Sequence, residues 1–304
     1  MTESSVSTVG AGPALRSLPA ALRVHQWVKN LLLFVPVILD HQVFNGPLIA
    51  RAALAFGAFC LAASGAYILN DLWDLEADQR HPTKRMRPFA AGTLSPRVGR
   101  TLVPVLFAAA VLLALLVPSR SFLALLVLYL MVTTAYSAYL KRVPVLDVLL
   151  LAGLYTLRVL AGIAATGVPF SAWLLGFSMF LFLSLAFLKR HAEITGSEGS
   201  AEDAVLRRGY LRRDREWLGS MGGASGYLSV LVLALYVSSS EVVTLYRKPA
   251  LLWLVCPVLL FWISRMWLLA HRGRLHDDPI IATARDPLSY VLGALVAVLL
   301  LAAV

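Results

Sequence analysis

Nine apolar runs divide the sequence, and each approaches or exceeds the length that a helix needs to cross a bilayer, about 20 residues. The runs are rich in Leu, Ala and Val and show no alternation with a period of two, so membrane β-strands are excluded. The pattern predicts an all-α polytopic membrane protein, a bundle of about nine transmembrane helices. The predicted spans are approximately 24–40, 48–69, 99–117, 121–140, 145–165, 171–188, 222–239, 249–270 and 287–304.

The composition indicates the same class of protein. Apolar residues make up 59% of the 304 residues and charged residues 14%, with a mean hydropathy of +0.75, whereas soluble domains contain about 25% charged residues. No polar stretch between the runs is long enough for a separate soluble domain, so residues 23–304 are predicted to form a single integral-membrane domain. Residues 1–22 have no apolar core and no small-residue cleavage site, and are predicted to be a flexible cytoplasmic tail.

Basic residues are distributed unevenly between the two sides of the membrane. Of the 27 Lys and Arg residues, 21 fall in the N-terminal tail and in the loops on that side, and four fall on the opposite side. By the positive-inside rule the N-terminus is predicted to be cytoplasmic, in a bacterial-type inner membrane. The net charge of +10 favours membrane lipids and phosphorylated substrates as partners. Nucleic acid is not an expected partner, because the basic loops lack aromatic interleaving and any recognised module.

Acidic residues cluster where the second predicted span ends. If the helix continues there, Asn70, Asp74 and Asp78 lie at i, i+4 and i+8, and Asp71 lies beside them. Carboxylates at this spacing repel one another unless a cation lies among them. Hard oxygen ligands without His or Cys favour Mg²⁺, so Asp71, Asp74 and Asp78 are predicted metal ligands. The alternative is a solvated helix end whose acids pair with nearby arginines.

A basic segment follows the acidic residues. Residues 80–88 carry four cations, and Pro82 and Pro88 restrict helix formation there, so the segment is predicted to be a loop that folds back over the acidic face. Cations beside a metal-binding cluster suit a pyrophosphate or a ribose phosphate. The alternative for each of these cations is anchoring at the membrane surface.

Charged residues also occur within and after the later spans. Arg158, in the fifth span, is costly in lipid unless it faces the bundle interior, and it marks either a polar cavity or a structural pairing with the carbonyls of another span. Asp147 lies on the same helix face but roughly 16 Å away, so direct pairing between the two is not expected. The segment 276–279 resembles a metal cluster, but Asp278 followed by Pro279 fits a helix N-cap with a first-turn proline.

Six motifs together resemble the UbiA superfamily of intramembrane prenyltransferases. The segment 70–78 is similar to the first aspartate-rich motif of that superfamily, and the other five are similar to the branch that includes decaprenyl-phosphate phosphoribosyltransferase. Aromatic-prenylating members carry paired aspartates after the sixth span, whereas this chain has only Glu193 there, which favours the phosphoribosyl branch. The five motifs are Arg-Val-His-Gln-Trp-Val-Lys-Asn at 23–30, His-Pro-x-Lys-Arg-x-Arg-Pro at 81–88, Leu-Lys-Arg-x-Pro-x-x-Asp at 140–147, Leu-Arg-x-x-Ala-Gly at 157–162 and Lys-Arg-x-Ala-Glu at 189–193.

The resemblance implies a transferase that uses Mg²⁺ and moves 5-phosphoribose from phosphoribosyl pyrophosphate to a polyprenyl phosphate. Asp71 and Asp74 would be its catalytic residues. The basic segment would hold the donor phosphates, and Lys189 and Arg190 would hold the acceptor phosphate. The residues implied in substrate binding are Lys29, Asn30, Asn70, Lys84, Arg85, Arg87, Lys141, Asp147, Arg158, Lys189, Arg190 and Glu193.

Two other functions remain open at this point. A member of the same superfamily could instead attach a polyprenyl chain to an aromatic ring or another acceptor. A transporter of an anionic solute would also place polar groups in a helical bundle. Transporter sites lie near the bilayer midplane at broken helices, whereas the densest cluster here is predicted at one membrane interface.

Overall fold

The computed structural model describes residues 11–80, 83–195, 209–275 and 278–304. These residues form helices joined by short turns, and no strand occurs among them. Short 3₁₀ helices occur at Val24–Phe34, Lys84–Met86, Leu140–Arg142, Arg212–Asp214 and Pro249–Leu254. The α-helices in chain order are α1 (Ala11–Leu22), α2 (Val35–Leu39), α3 (Gly46–Trp73), α4 (Leu75–Gln79), α5 (Pro96–Leu115), α6 (Arg120–Ala138), α7 (Leu146–Thr166), α8 (Ala172–Thr195), α9 (Arg215–Val237), α10 (Ser240–Leu245), α11 (Val255–His271), α12 (Pro279–Thr283) and α13 (Pro287–Ala303).

Seven helical segments in the described ranges are long and apolar enough to cross a membrane. They are α3, α5, α6, α7 and α8, together with Arg212–Val237 and Pro249–His271, which include the preceding 3₁₀ turns. These segments correspond to the second to eighth predicted spans, so the prediction of an all-α integral membrane protein is confirmed. At the first and ninth predicted spans the chain forms shorter apolar helices, Val24–Leu39 and Pro287–Ala303. A count of nine full-length spans stays a prediction.

The N-terminal segment contains a helix that the sequence did not predict. Residues 11–22 of the predicted tail form α1, and the side chain of Ala21 is buried in one apolar cluster with Ile68 and Phe89. This contact attaches the end of α1 to α3. Residues 1–10 of the predicted tail lie outside the described part of the chain.

Helix α7 lies at the centre of the bundle. Leu154 and Ala161 belong to a core cluster formed with α3, α5 and α6. Val148 and Val159 belong to a second cluster, formed with α8 and α11. A helix that is buried on opposite faces needs apolar residues all round, which explains why its sequence shows no wholly polar face.

The 3₁₀ helix Val24–Phe34 approaches α7 closely at Gly162. A Cβ at this position would lie 2.3 Å from the carbonyl oxygen of Leu33, so a larger residue would push the two segments apart. Asn30 and Arg158 lie about one turn before these two contact points and meet across the same interface. The glycine therefore helps to place a polar pair inside the bundle.

The polar segments lie together at one end of the bundle, where helices end and ion pairs join segments that are distant in sequence. Helix α3 ends at Trp73, where the N–H of Asp74 donates to the carbonyl of Asn70 at 2.9 Å. Ion pairs join Asp71 and Asp74 to Arg23 and Lys141, which are distant in sequence. Two further ion pairs join Asp278 to Lys29 and Lys189. We call this end the polar end, and it comprises residues 23–30, 70–80, 83–88, 139–147, 189–193 and 278.

Candidate active site

Two arginines and two aspartates form the first ion-pair group of the polar end, which we call the Arg87 cluster. Arg87 Nη1 lies 3.1 Å from Asp71 Oδ1 and 2.6 Å from Asp78 Oδ2, and Arg23 Nη2 lies 2.5 Å from Asp71 Oδ1. Arg23 also lies over the ring of Tyr67, 4.9 Å from its centroid. Both carboxylates are buried and both arginines are partly exposed. The buried carboxylates therefore hold the two guanidinium groups in place, and each guanidinium group keeps part of its surface accessible.

Asp74 lies outside this cluster and pairs with Lys141. Lys141 Nζ donates to the two carboxylate oxygens of Asp74 at 2.7 Å and 3.0 Å, and to Asn70 Oδ1 at 3.1 Å. Because α3 ends at Trp73, the continuous helix assumed in the sequence analysis is interrupted at Asp74. Asn70 and Asp74 still share a side, as their spacing predicted, but they face Lys141 rather than the Arg87 cluster.

Asp278 joins the beginning of the chain to its end. Its Oδ2 accepts hydrogen bonds from Lys29 Nζ at 2.7 Å and from Lys189 Nζ at 2.9 Å, and Tyr155 Oη lies 3.4 Å from both carboxylate oxygens. Burial opposes the ionisation of Asp278, but Lys189 and Lys29 outweigh it and hold the pKa of this carboxyl below its usual range. Asp278 is also the N-cap of α12 and accepts from the N–H of Ile280 at 3.2 Å. Sequence reasoning missed its place in the site because the cap already accounted for the residue.

Arg190 is buried and engaged by three side chains. Its Nε donates to Asp147 Oδ2 at 2.5 Å, its Nη1 to Glu193 Oε2 at 2.5 Å and its Nη2 to Tyr136 Oη at 2.9 Å. These partners lie on α7, α8 and α6, so one guanidinium connects three helices. Arg190, implied by the family resemblance as an acceptor-phosphate ligand, is therefore surrounded by protein groups.

Tyr210 stabilises the turn before α7. Its hydroxyl donates to Asp147 Oδ1 at 2.6 Å and accepts from the N–H of Val145 at 2.8 Å. Val145 has φ = 68°, a conformation that β-branched residues rarely adopt, so the surrounding contacts must hold it. Burial and the bond to Asp147 raise the pKa of Tyr210, which keeps its hydroxyl a donor. No motif marks this tyrosine in the sequence, and sequence reasoning missed it.

Arg158 is buried within the bundle. Its Nε donates to Asn30 Oδ1 at 2.9 Å, its Nη2 to Tyr129 Oη at 3.0 Å and its Nη1 to the carbonyl of Leu154 at 2.6 Å. Asp147 pairs with Arg190 instead, so the two charges on α7 have separate partners, as their spacing predicted. Arg158 is therefore paired structurally with other segments, but through the side chains of Asn30 and Tyr129, and the one carbonyl that it binds belongs to its own helix.

The other predicted residues lie at the margin of the site. Lys84 is half-buried and Arg85 exposed in the 3₁₀ turn next to Arg87. Glu193 is 40% exposed at the end of α8. Residues 81–82, 196–208 and 276–277 lie outside the described residues, and they include part of the predicted basic segment and part of the segment 276–279.

The Arg87 cluster has a donor set that fits a magnesium ion. In the described part of the chain no group of three or more His, Cys, Asp or Glu residues is arranged to hold a metal. Asp71 and Asp78 nevertheless converge on one positively charged atom, Arg87 Nη1. Mg²⁺ commonly takes one or two carboxylates and completes its shell with water and substrate phosphate. Two buried carboxylates that share one cation meet this requirement, while Asp74 is engaged by Lys141.

Two cavities lie between helices on the sides of the bundle. One, which we call the α6 groove, has a volume of about 900 Å³, lies between α3, α5 and α6, and opens beside Asp74 and Arg142. The other, which we call the α13 cavity, has a volume of about 730 Å³ and is lined mainly by α8, α11, α13 and residues 32–40. Both are predominantly apolar, so either could accommodate part of a lipid chain.

Three relatives match this chain over much of its length. It is 41% identical over 277 residues to the protein y4nM of Sinorhizobium fredii, covering 91% of this chain and 54% of y4nM. It is 38% identical over 274 residues to the nodulation protein NoeC of Azorhizobium caulinodans, covering 89% of this chain and 88% of NoeC. It is 38% identical over 177 residues to decaprenyl-phosphate phosphoribosyltransferase of Corynebacterium glutamicum, covering 57% of this chain and 53% of that enzyme. The matches span about half the length of y4nM and of the phosphoribosyltransferase.

The fold and the family agree with the resemblance seen in the motifs. A UbiA homolog from Archaeoglobus fulgidus, solved with GPP and Mg²⁺ bound, has the same fold, with a TM-score of 0.70 over 94% of this chain and 99% of that chain at 16% identity. The UbiA prenyltransferase family matches residues 33–282, which contain most of the polar end and of the membrane helices. The chain therefore belongs to the UbiA prenyltransferase family of membrane transferases.

Proposed function

We propose that this protein transfers the 5-phosphoribosyl group of phosphoribosyl pyrophosphate to a polyprenyl phosphate. The observation that carries the proposal is that five basic side chains from four segments distant in sequence lie together at the polar end. Both substrates are rich in phosphate, and Lys and Arg beside oxygen ligands are suited to bind it. The activity named for the Corynebacterium glutamicum relative supports this choice. The five basic residues are Arg23, Lys29, Arg87, Lys141 and Lys189.

The proposed chemistry requires electrostatic stabilisation rather than a strong base. An oxygen of the lipid phosphate, already anionic, forms a bond to C1 of the ribose. The bond from C1 to the pyrophosphate oxygen breaks, and pyrophosphate leaves with the electron pair. The protein therefore has to hold the phosphates and neutralise the charge that develops on the leaving group.

The Arg87 cluster is the proposed site for the donor pyrophosphate. Arg23 and Arg87 are partly exposed, and a planar guanidinium binds two phosphate oxygens at once. Mg²⁺, when bound by Asp71 and Asp78, would supply further neutralisation of the pyrophosphate charge. The carboxylates that now hold the arginines would then hold the metal, and the guanidinium groups would be available to the donor.

The end of α8 favours the phosphoribosyl reaction over ionisation of a prenyl diphosphate. A prenyl-ionising site would be expected to place a second pair of acidic metal ligands there. In this chain Lys189 pairs with Asp278, and Glu193 shares Arg190 with Asp147. The described end of α8 thus contributes cations to the site, with Glu193 its one carboxylate.

The second candidate is transfer of a polyprenyl chain from its diphosphate to another acceptor. The family and the fold shared with the GPP-bound homolog favour it, and the Arg87 cluster would bind a prenyl diphosphate by the same chemistry. Transport of an anionic solute is the least supported of the three hypotheses, since the family consists of transferases. For either transferase we propose that the polar end faces the cytoplasm, following the positive-inside rule.

An assay with two labelled donors tests the proposal. The purified full-length protein is incubated with Mg²⁺ and decaprenyl phosphate, and with either labelled phosphoribosyl pyrophosphate or labelled prenyl diphosphate. We expect label in the lipid fraction from phosphoribosyl pyrophosphate. Label transfer to an added acceptor from prenyl diphosphate alone would establish the second candidate instead.

A matched pair of variants connects the assay to the site. Arg87→Gln should raise the KM for the donor about ten- to hundredfold, because a hydrogen bond to a charged group contributes about 1.5–3 kcal/mol. Arg85→Gln, in the same segment but exposed to solvent, should have a smaller effect. Equal effects would show that the segment acts through its overall charge.

A further inference from the structure

The α6 groove has the shape of a binding site for an extended chain. Met131, Ala135 and Ala138 follow one another along the side of α6 that faces the groove. The side chains on this side of α6 therefore become smaller toward the polar end. Phe107 of α5 forms the opposite wall and rests on Gly65 of α3, where a Cβ would lie 2.5 Å from the ring. The space between these walls therefore depends on small residues on both α3 and α6.

The mouth of the groove is positively charged and aromatic. Arg142 lines it and makes no ion pair with any described residue, and Asp74 beside it is neutralised by Lys141. Trp73 and Tyr139, 49% and 76% exposed, also line the mouth. Exposed Trp and Tyr are typical of the level of lipid headgroups. The groove thus runs from the headgroup level, next to the site, into the apolar part of the bundle surface.

The two cavities differ in their suitability for a charged lipid. The lining of the α13 cavity contains one carboxylate, Asp40, and no Lys, Arg or His. A phosphate in that cavity would therefore lack a cation. The α6 groove offers Arg142 in its lining and Lys141 at its edge. Charge complementarity selects the α6 groove for an anionic lipid.

We infer that the α6 groove binds the isoprenoid phosphate acceptor, with its phosphate at Arg142 and its chain along α6. This inference rests on the proposed function and names the acceptor site of that reaction. The groove side of α6 from Met131 to Ala138 is about 10 Å long at 1.5 Å per residue, about a third of the hydrocarbon thickness. The phosphate would lie beside Lys141 and Asp74, at the edge of the polar end, while the chain remains in contact with lipid.

Photo-crosslinking tests the location directly and without any donor. The full-length protein in nanodiscs is labelled with a polyprenyl phosphate that carries a benzophenone in its chain, and the labelled peptides are mapped. We expect labelling of α6 within residues 130–138 and at Phe107, with competition by unlabelled polyprenyl phosphate. Labelling confined to α8, α11 or α13 would overturn the inference.

Two further ligands test the recognition of phosphate. Polyprenol, which lacks the phosphate, should compete about tenfold less well than polyprenyl phosphate, since about 1.4 kcal/mol corresponds to a factor of ten. Phosphatidylglycerol at the same mole fraction should also compete weakly. Equal competition by polyprenol would show that Arg142 does not bind the phosphate. Equal competition by phosphatidylglycerol would show that the groove binds anionic lipids in general. Either result overturns the inference.

Variants with matched controls on the same helix complete the test. Ala135→Phe fills the groove and should reduce crosslinking about tenfold or more, whereas Leu128→Phe should not, because Leu128 is 40% exposed outside the groove. Arg142→Gln should weaken binding about tenfold and Arg142→Lys should restore most of it, whereas Arg120→Gln, at the other end of α6, should have no effect. If a variant fails to fold, the peptide map of the unmodified protein still decides.

The inference and the proposed function can fail separately. Crosslinking in the α6 groove without transfer of phosphoribose would contradict the proposed function alone. Transfer of phosphoribose with an unchanged lipid KM in both Ala135→Phe and Arg142→Gln would contradict the α6 groove alone.

Discussion

Lys29 and Asp278 are joined by a hydrogen bond of 2.7 Å across 249 residues of sequence. Lys189 completes the group from the end of α8, so one carboxylate connects the first apolar helix, α8 and the segment that precedes α13. The side chains of Lys29 and Asp278 are buried, and water therefore screens their interaction little. This pair closes the polar end of the bundle.

Removal of the Asp278 carboxylate should destabilise the protein more than removal of the carboxylate of a comparable N-cap, Asp286. Asp278→Asn leaves buried Lys29 without its counter-charge, and breaking a buried pair costs about 3–5 kcal/mol. Asp286→Asn is the matched control, because Asp286 is also an N-cap and pairs with Arg265, but this pair is partly exposed. We expect a loss of about 0–1 kcal/mol there, because Asn still caps the helix and only a partly exposed ion pair is lost. Denaturant unfolding in detergent measures the free energy of unfolding of both variants. Equal losses of this free energy would contradict a special role of Asp278.

The contribution of Asp278 should depend on pH only in acid. Its pKa in the folded protein lies below the ordinary value, so its stabilising effect is complete above the unfolded pKa of about 3.9 and is lost as the pH falls through the folded pKa. The difference in unfolding free energy between the unmodified protein and Asp278→Asn should therefore be constant from about pH 5 to pH 7 and shrink below about pH 4. A difference that stays constant or grows as the pH falls below about pH 4 would show that folding does not lower the pKa of this carboxyl.

The metal requirement should separate the three aspartates of the first motif. Asp71→Asn and Asp78→Asn should each raise the Mg²⁺ concentration for half-maximal activity about tenfold or more, because both carboxylates converge on one cation position. Asp74→Asn should lower kcat with little change in that concentration, since it releases Lys141 instead. An equal shift in all three variants would support the three-carboxylate metal site that the sequence predicts.

Glu193 and Asp147 should differ in importance although both bind Arg190. We expect Glu193→Gln to reduce turnover about ten- to hundredfold with unchanged Mg²⁺ dependence, from the loss of a charged hydrogen bond of about 1.5–3 kcal/mol. Asp147→Asn should cost more, and should also lower stability, because Asp147 is fully buried and binds Tyr210 as well. A strongly shifted Mg²⁺ requirement in Glu193→Gln would reveal a second metal site and favour the prenyl-diphosphate reaction.

Loss of the Tyr210 hydroxyl should affect activity through the turn that precedes α7. Tyr210→Phe leaves the N–H of Val145 and one oxygen of Asp147 without this partner. Because Lys141 lies in the same segment, we expect kcat to fall about tenfold while the donor KM changes little. Tyr136→Phe removes a hydroxyl from Arg190 without touching the turn and is the control. Identical kinetics of Tyr210→Phe and the unmodified protein would contradict a positioning role.

The helices and the family could be predicted from the order of residues alone. In a bilayer the backbone must satisfy its hydrogen bonds within each segment, so an apolar run of sufficient length has essentially one structure. Seven of the predicted spans agree with helices of the described chain for this reason. The aspartate-rich and basic motifs are local in sequence, and they indicated the UbiA family correctly.

The partners of the charged residues could not be predicted in this way. Arg23 meets Asp71 across 48 residues and Lys29 meets Asp278 across 249, and many other pairings of the same charges would satisfy the sequence equally well. Even the aspartates of one local motif have different partners, because α3 ends at Trp73 and Asp74 faces Lys141 rather than the Arg87 cluster. Helix packing around α7 determines which charges come within hydrogen-bonding distance, since a buried charge is stable only where a partner is already in place.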